Sequence, residues 1–279
     1  MKKRCTVKRM RIPSPGGPIK LLILQSAGGA PTGAKVPGIL WIHGGGYVTG
    51  MAEMIFMSRA LPLVEKYGAV VVTPEYRLAG KAPYPAALED CYAALLFLKR
   101  HAKALGCDPD CLMVGGESAG GGLTAALCMY ARDRGEVRIA FQMPLYPMLD
   151  DRDTASSRDN HSFPWNTRRN HAAWKRYLAG IRGAPPPSAA PARQTDYTGL
   201  PPAYTFVGER EPFYCETLTY IENLKRAGVP AHVDVYPTSF HAFDMLTPFR
   251  PLSRRAIEAF ERQYLQAARS DRKPEKGGE

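Results

Sequence analysis

The strongest indication of a chemical reaction comes from five consecutive residues that match the pattern G-x-S-x-G. They are Gly116-Glu117-Ser118-Ala119-Gly120. They follow a short apolar run at residues 111–115 and precede a helical pattern, which is the strand-turn-helix context of a nucleophile elbow. The turn is so tight that a larger residue at Gly116 or Gly120 would clash with the strand and helix that it joins. The pattern therefore predicts that Ser118 is a nucleophile, exposed at the carboxyl end of a strand.

A second glycine-rich motif, His43-Gly44-Gly45-Gly46, follows another apolar run. Glycines at the end of a strand let main-chain N–H groups converge on an oxygen that becomes negatively charged during reaction. A merely flexible turn would explain neither the position after a strand nor the presence of the serine motif. The two motifs together indicate acyl transfer through Ser118 with an oxyanion hole.

A serine needs a base to remove its proton, and that base must come from elsewhere in the chain. His241 is the best placed of the six histidines, because it follows the last predicted strand and because this type of site has its histidine last in chain order. The other five belong to the glycine motif or to helix, cap or strand positions: His43, His101, His161, His171 and His232.

The acid that orients the histidine is sought among five carboxylates near the end of the chain: Glu209, Glu211, Glu216, Asp234 and Asp244. Glu211 comes four residues after a predicted strand at 203–207, where that strand opens towards the active face. Glu209 and Glu216 are interpreted as solvent-facing or capping residues, Asp234 as mid-strand, and Asp244 as too close in sequence to His241. Glu211 is therefore the predicted acid.

The elements that must position these residues alternate between short apolar runs and longer helical patterns, which predicts an α/β fold: a mostly parallel sheet with helices on both faces. Strands are predicted at 7–12, 19–24, 36–43, 69–75, 111–115, 139–145, 203–207 and 231–236. Helices are predicted at 84–105, 119–134, 166–179, 213–227 and 248–268.

One stretch breaks this alternation. Residues 149–200 are polar and Pro-rich, with a single predicted helix, so they are expected to form a small inserted helical cap. Residues 1–268 are predicted to form one catalytic domain, and the polar tail 269–279 is predicted to be disordered.

Composition narrows the function classes. The net charge is +11, but residues 1–20 alone carry seven Lys or Arg and no acid, and no nucleic-acid-binding motif accompanies them. No apolar stretch is long enough for a signal or a membrane span, and six cysteines without a secretory signal favour reduced thiols. We therefore expect a cytoplasmic protein without metal, nucleic acid or membrane partner.

The expected cap is itself basic. Residues 152–193 contain eight Arg or Lys and two Asp, which gives a net charge of +6. Such a bias could attract anionic substrates. The alternative, which we favour, is a solvated basic surface.

Together the motifs resemble those of the hormone-sensitive-lipase-like esterases, a bacterial branch of the α/β-hydrolase fold. The resemblance covers almost the whole chain and rests on residues 41–47, Tyr76-Arg77-Leu78-Ala79, 83–90, 116–122, Leu200-Pro201-Pro202-Ala203, 208–216 and 240–243.

The resemblance implies hydrolysis of short acyl esters without a cofactor. It implies that Ser118 is acylated, that His241 is base and then acid, and that the oxyanion hole uses the N–H groups of Gly45, Gly46 and Ala119. Glu211, before Pro212, aligns with the Asp usual in this family.

Members of this family usually have a helical segment before the first strand. In this sequence the first strand itself is expected to begin within the first ten residues. An open pocket taking acetyl to hexanoyl esters is therefore expected. Cleavage of amides or removal of acetyl groups from sugars or xenobiotics would use the same residues and stays open, as does a homodimer. A non-catalytic ligand-binding relative is disfavoured, since Ser118, His241 and the glycine motif are all present.

Overall fold

The computed structural model describes residues 5–28 and 36–270. Eight strands form one sheet in the order β1-β2-β4-β3-β5-β6-β7-β8. β1 and β2 form an antiparallel pair, β2 is antiparallel to β4, and the remaining neighbours are parallel. The strands are β1 Cys5–Ile12, β2 Ile19–Ser26, β3 Pro37–Ile42, β4 Val70–Pro74, β5 Asp108–Glu117, β6 Phe141–Leu145, β7 Ala203–Gly208 and β8 Ala231–Tyr236.

Helices cover both faces of this sheet. α2, α3 and α5 bury apolar residues on one face, and α1 and α7 bury theirs on the other. The α-helices are α1 Ala60–Tyr67, α2 Ala86–His101, α3 Ala119–Arg134, α4 Thr167–Tyr177, α5 Tyr214–Arg226, α6 Phe243–Leu246 and α7 Pro251–Ser270. The predicted α/β architecture, with a mostly parallel sheet, is confirmed.

Four helical segments of the described residues were not predicted: the 3-10 helices Ala52–Met57 and Pro191–Arg193, α1 and α6. They are short, so each offers few apolar positions to a periodicity analysis. The predicted disordered tail starts too early, because Arg269 and Ser270 continue α7. The rest of that tail, 271–279, lies outside the described residues. Within the described residues, no helix is long and apolar enough to cross a bilayer.

The segment between β6 and β7, residues 146–202, contains α4 and no strand, and it is called the cap segment below. Its aromatic residues pack on the loop that follows β3. The Tyr177 ring stacks on Tyr47 with centroids 4.0 Å apart, and Trp174 lies 5.4 Å from the same ring. Burial of such large side chains is the main stabilising contribution that holds this segment against the sheet.

Candidate active site

The turn between β5 and α3 holds Ser118 in an unusual backbone conformation, with φ 58° and ψ −118°. Non-glycine residues rarely adopt positive φ, so neighbouring contacts must stabilise the turn. The amide of Ser118 donates to the Leu145 carbonyl at 3.0 Å, and its carbonyl accepts from Gly122 at 2.9 Å and Met148 at 3.0 Å. These three backbone hydrogen bonds fix the elbow. The expectation that Ser118 is exposed was wrong: it lies at the carboxyl end of β5 but is only 7% exposed, because the turn is packed among its neighbours.

The flanking glycines allow this turn to approach β3. A Cβ at Gly116 would lie 2.4 Å from the Ile42 carbonyl oxygen, and a Cβ at Gly120 would lie 2.1 Å from the same atom. Either methyl group would have to displace backbone. A larger residue at Gly116 or Gly120 would therefore clash with β3, in addition to the clash within the turn that the sequence predicts.

Ser118, His241 and Glu211 form one continuous chain of polar contacts. Ser118 Oγ lies 2.9 Å from His241 Nε2, and His241 Nδ1 contacts Glu211 Oε2. Glu211 Oε1 accepts the Gly208 amide at 2.6 Å. Because a carboxylate only accepts, Nδ1 carries the proton and leaves the Nε2 lone pair facing the serine hydroxyl. This arrangement can take a proton from Ser118 Oγ.

Aromatic rings fix the plane of the imidazole. Tyr146 and Phe213 each meet the His241 ring edge to face, with centroids 5.1 Å away. The backbone N–H of His241 donates to the Phe163 carbonyl of the cap segment at 3.3 Å. His241 is only 4% exposed, so its position depends on protein contacts rather than on solvent.

The glycine motif lies beside the nucleophile. A Cβ at Gly44 would be 3.3 Å from Ser118 Cβ, which places the two loops in contact. Gly45 and Gly46 both have positive φ, 114° and 59°. Within the described residues, the amides of Gly45, Gly46 and Ala119 donate to no protein acceptor. These N–H groups are therefore available to a ligand oxygen.

His43, the first residue of the glycine motif, is held in place by contacts of its ring and of its carbonyl group. Its ring stacks on Tyr76 with centroids 4.1 Å apart, and the Tyr76 hydroxyl donates to the His43 carbonyl at 3.0 Å. His43 Nδ1 lies 2.8 Å from the Gly44 carbonyl. Burial lowers the pKa of His43 to about 4, so the ring is neutral at pH 7. These contacts give His43 a structural part in shaping the loop.

Of the five carboxylates considered as the acid, only Glu211 contacts His241. Glu209 is exposed, and Asp234 accepts the Tyr204 hydroxyl at 2.7 Å. The interpretation of Glu216 as solvent-facing or capping was wrong. It is 2% exposed and accepts the amides of Leu149 at 2.6 Å and Asp150 at 3.3 Å, which fixes the start of the cap segment.

Two features of the site were not predicted from the sequence. Trp165 of the cap segment lies over the glycine loop, where a Cβ at Gly46 would be 2.3 Å from its Cη2 atom. Asp244 pairs with Arg59 at 3.0 Å, below the site. The position of Trp165 could have been suspected, because it is a tryptophan in an otherwise polar stretch. No sequence signal indicated the ion pair between Asp244 and Arg59. In the part of the chain that is described, no three His, Cys, Asp or Glu side chains could hold a metal ion.

Gly46→Ala should lower kcat/KM for a short ester by about a hundredfold, because the methyl group would displace either Trp165 or the glycine loop that lies beside Ser118. The measurement is steady-state hydrolysis of 4-nitrophenyl acetate. Gly183→Ala is the matched control, since Gly183 also has positive φ, 87°, but no atom within 4 Å of an added Cβ. Equal activity of the two variants would contradict a role for the Gly46 amide.

Comparison with known proteins agrees with this geometry. Residues 39–245 match a protein family described as alpha/beta hydrolase fold. The chain is 35% identical over 237 residues to the esterase LipI of Mycobacterium tuberculosis, covering 84% of this chain and 73% of that protein. It is 32% identical over 224 residues to an acetyl-hydrolase of Streptomyces hygroscopicus, covering 79% and 72%.

Among solved structures, a bacterial heroin esterase superposes with a TM-score of 0.87 at 34% sequence identity, covering 97% of this chain and 86% of that one. A hyperthermophilic esterase from Pyrobaculum calidifontis superposes with a TM-score of 0.84 at 31% identity, covering 94% and 86%. Sequence and structure thus lead to the same group of enzymes. The chain belongs to the α/β-hydrolase family, in its hormone-sensitive-lipase-like branch.

Proposed function

We propose that the protein hydrolyses short-chain carboxylic esters, with Ser118 as nucleophile, His241 as general base and then acid, and Glu211 as the orienting acid. The observation that carries this proposal is the continuous contact from Ser118 Oγ through the imidazole to Glu211, beside the glycine loop. The relatives named as esterases support the same reaction class.

In the acylation step, Ser118 Oγ attacks the ester carbonyl carbon while its proton passes to His241 Nε2. The carbonyl oxygen becomes negatively charged and accepts hydrogen bonds from the amides of Gly45, Gly46 and Ala119. When the tetrahedral intermediate collapses, the C–O bond to the alcohol breaks and His241 returns the proton to that alcohol. Water then repeats the sequence on the acyl enzyme and releases the acid.

Glu211 stabilises the imidazolium that forms at each of these steps. Both of its oxygens are used, one on His241 Nδ1 and one on the Gly208 amide at 2.6 Å. The second contact holds the carboxylate in one orientation. With both oxygens held, the longer side chain of Glu211 keeps one carboxylate oxygen on His241 Nδ1, as the proposed role requires.

The sequence argument for small acyl groups was an open pocket, whereas the structure supports the same preference through a bulky side chain, Trp165, against the glycine loop. Its indole lies over Gly46 and its ring centroid is 6.4 Å from Phe213, which in turn contacts His241. Large side chains on the oxyanion side of the nucleophile leave less room for a long alkyl chain. The relative named acetyl-hydrolase agrees with a small acyl group.

We expect hydrolysis of 4-nitrophenyl esters, tested from acetate to dodecanoate, to be fastest between acetate and hexanoate. Trp165→Ala should move the maximum to longer chains, because it removes the bulk above Gly46. Tyr130→Ala is the control, since Tyr130 lies near the far end of α3, roughly 18 Å along the helix from Ser118. Faster cleavage of dodecanoate than of butyrate by the unmodified enzyme would refute the short-chain proposal.

An amide substrate separates esterase from amidase activity. 4-Nitroacetanilide presents the same acetyl group as 4-nitrophenyl acetate but has a much poorer leaving group. We expect turnover of the ester with little or none of the anilide. Comparable rates on both would favour an amidase that uses the same residues.

A further inference from the structure

Three buried charged side chains lie below the site, on the face of the sheet that carries α1 and α7: Arg59, Glu117 and Asp244. They are 7%, 3% and 0% exposed, and we call them the Arg59 cluster. The proposed reaction uses none of them directly. Charged groups are rarely buried without a function or a full set of partners, so their arrangement needs an explanation.

The contacts in the cluster are specific. Arg59 Nε lies 3.0 Å from Asp244 Oδ2, so these two groups form an ion pair. Glu117 has only neutral donors: its Oε2 accepts Trp41 Nε1 at 2.8 Å, and its Oε1 accepts the Arg59 backbone N–H at 3.3 Å. Glu117 is thus tied to the segment that carries Arg59, but it does not share the guanidinium.

Each end of the cluster is attached to a residue of the proposed triad. Glu117 directly precedes Ser118, and Asp244 follows His241 by three residues. Tyr146, which is fully buried, packs on the His241 ring with centroids 5.1 Å apart. A shift of the cluster would therefore move the elbow and the histidine loop relative to each other.

The charges in the cluster do not balance if both carboxylates are ionised, since two negative groups face one guanidinium. An uncompensated buried charge is costly, and one proton would remove it. The groups that face Glu117 are the Trp41 indole, Arg59, Asp244 and the Tyr146 ring. Burial, together with the charge of Asp244, raises the pKa of Glu117 to about 8. Burial also raises the pKa of Asp244, but the facing Arg59 guanidinium lowers it. Glu117, which has no guanidinium contact, is therefore the carboxyl group that holds the proton.

We propose that Arg59, Glu117 and Asp244 are positioning residues that hold Ser118 and His241 in register, and that the active form carries one proton on Glu117. The inference rests on the proposed esterase function. When this proton is lost, a second negative charge appears in the cluster and the surrounding loops must rearrange. The loss should appear as a lower kcat with little change in KM.

The first test follows kcat and KM for 4-nitrophenyl acetate from pH 6 to pH 9.5, with the spontaneous rate subtracted. Glu117→Gln cannot ionise and keeps the oxygen that accepts from Trp41, and it loses only the long contact at 3.3 Å from the Arg59 backbone N–H. We expect its kcat to be within about threefold of the unmodified enzyme at pH 7, and to lack the decline that the unmodified enzyme shows above about pH 8. The same alkaline decline in both enzymes would overturn the proposal.

The ion pair is tested by a double-mutant cycle. Arg59→Met and Asp244→Asn each leave a buried group without its partner, so each should lower kcat by about tenfold. The double variant should recover a large part of that loss, because it contains neither member of the pair. Losses that simply multiply in the double variant would show that the two residues act independently and would contradict a shared positioning role.

A measurement that does not depend on turnover separates this inference from the proposed function. Tryptophan fluorescence should change with a midpoint near pH 8 in the unmodified protein, because Trp41 donates directly to Glu117, and the change should be absent in Glu117→Gln. A flat titration in the unmodified protein would refute the protonation of Glu117 even if ester hydrolysis is observed. Absence of hydrolysis together with the fluorescence change would instead reject the esterase proposal.

The pH dependence of the free energy of unfolding also tests whether Glu117 is protonated, and the direction of the change is defined. The pKa of Glu117 is raised from 4.5 to about 8 in the folded protein, so folding takes up a proton between these values. The free energy of unfolding, relative to Glu117→Gln, should fall as the pH rises from about 4.5 to about 8 and then stay constant. A difference between the two proteins that does not vary with pH would contradict the protonated state.

Discussion

Ser118→Ala is expected to abolish ester hydrolysis, with kcat lowered on the order of a millionfold while the fold is retained. In the proposed reaction this hydroxyl forms the acyl enzyme, and its Oγ lies 2.9 Å from His241 Nε2. Alanine keeps the Cβ atom and the three backbone hydrogen bonds that fix the turn. The effect should therefore be chemical rather than structural.

The measurement for Ser118→Ala is hydrolysis of 4-nitrophenyl butyrate, with a thermal melt to show that the variant is folded. Ser188→Ala is the matched control. Ser188 belongs to the cap segment, and its hydroxyl lies 2.7 Å from the Tyr84 hydroxyl. The control should keep most of the activity. Turnover by Ser118→Ala near that of the unmodified enzyme would remove Ser118 from its proposed role.

Glu211→Gln should have the second largest effect, a loss of kcat on the order of ten-thousandfold. The amide can still accept from Gly208, but it cannot balance the imidazolium, and its NH2 group facing Nδ1 would favour the wrong tautomer of His241. Glu211→Asp keeps the charge but is one methylene shorter. It should lose less, about tenfold, because only the geometry is disturbed.

The competing acid in this part of the chain is Asp244, so the informative comparison is between Glu211→Ala and Asp244→Ala. Glu211→Ala should lower kcat far more, since Glu211 contacts His241 and Asp244 pairs with Arg59. Equal KM values in the two variants would locate both effects in the chemical step. The reverse order of kcat values would make Asp244 the acid and would also require a different explanation of the Arg59 cluster.

The fold was largely predictable because the strands of a parallel sheet are buried on both faces and appear as continuous apolar runs. All eight predicted strands are present, and the prediction for β8, residues 231–236, matches its observed bounds. α1 was missed for a physical reason. Its eight residues bury only Ala60, Leu63 and Val64, and no side chain caps its start.

The site was predictable where chain order carries information. Ser118, Glu211 and His241 follow strands whose carboxyl ends meet at one edge of the sheet, and the structure brings them together. Burial of single carboxylates was not predictable. Glu216 accepts the Leu149 amide 67 residues away, and Glu117 accepts from Trp41 across 76 residues, so only tertiary packing makes these residues internal.

The contact between Ser118 and His241 joins residues 123 positions apart. During synthesis the elbow and the glycine loop leave the ribosome well before the histidine, and at about 5–20 residues per second the delay is several seconds or more. A chain that has not yet reached His241 therefore lacks the base that the proposed reaction requires. The order of residues along the chain thus delays completion of the proposed triad until the last strand of the sheet has been made.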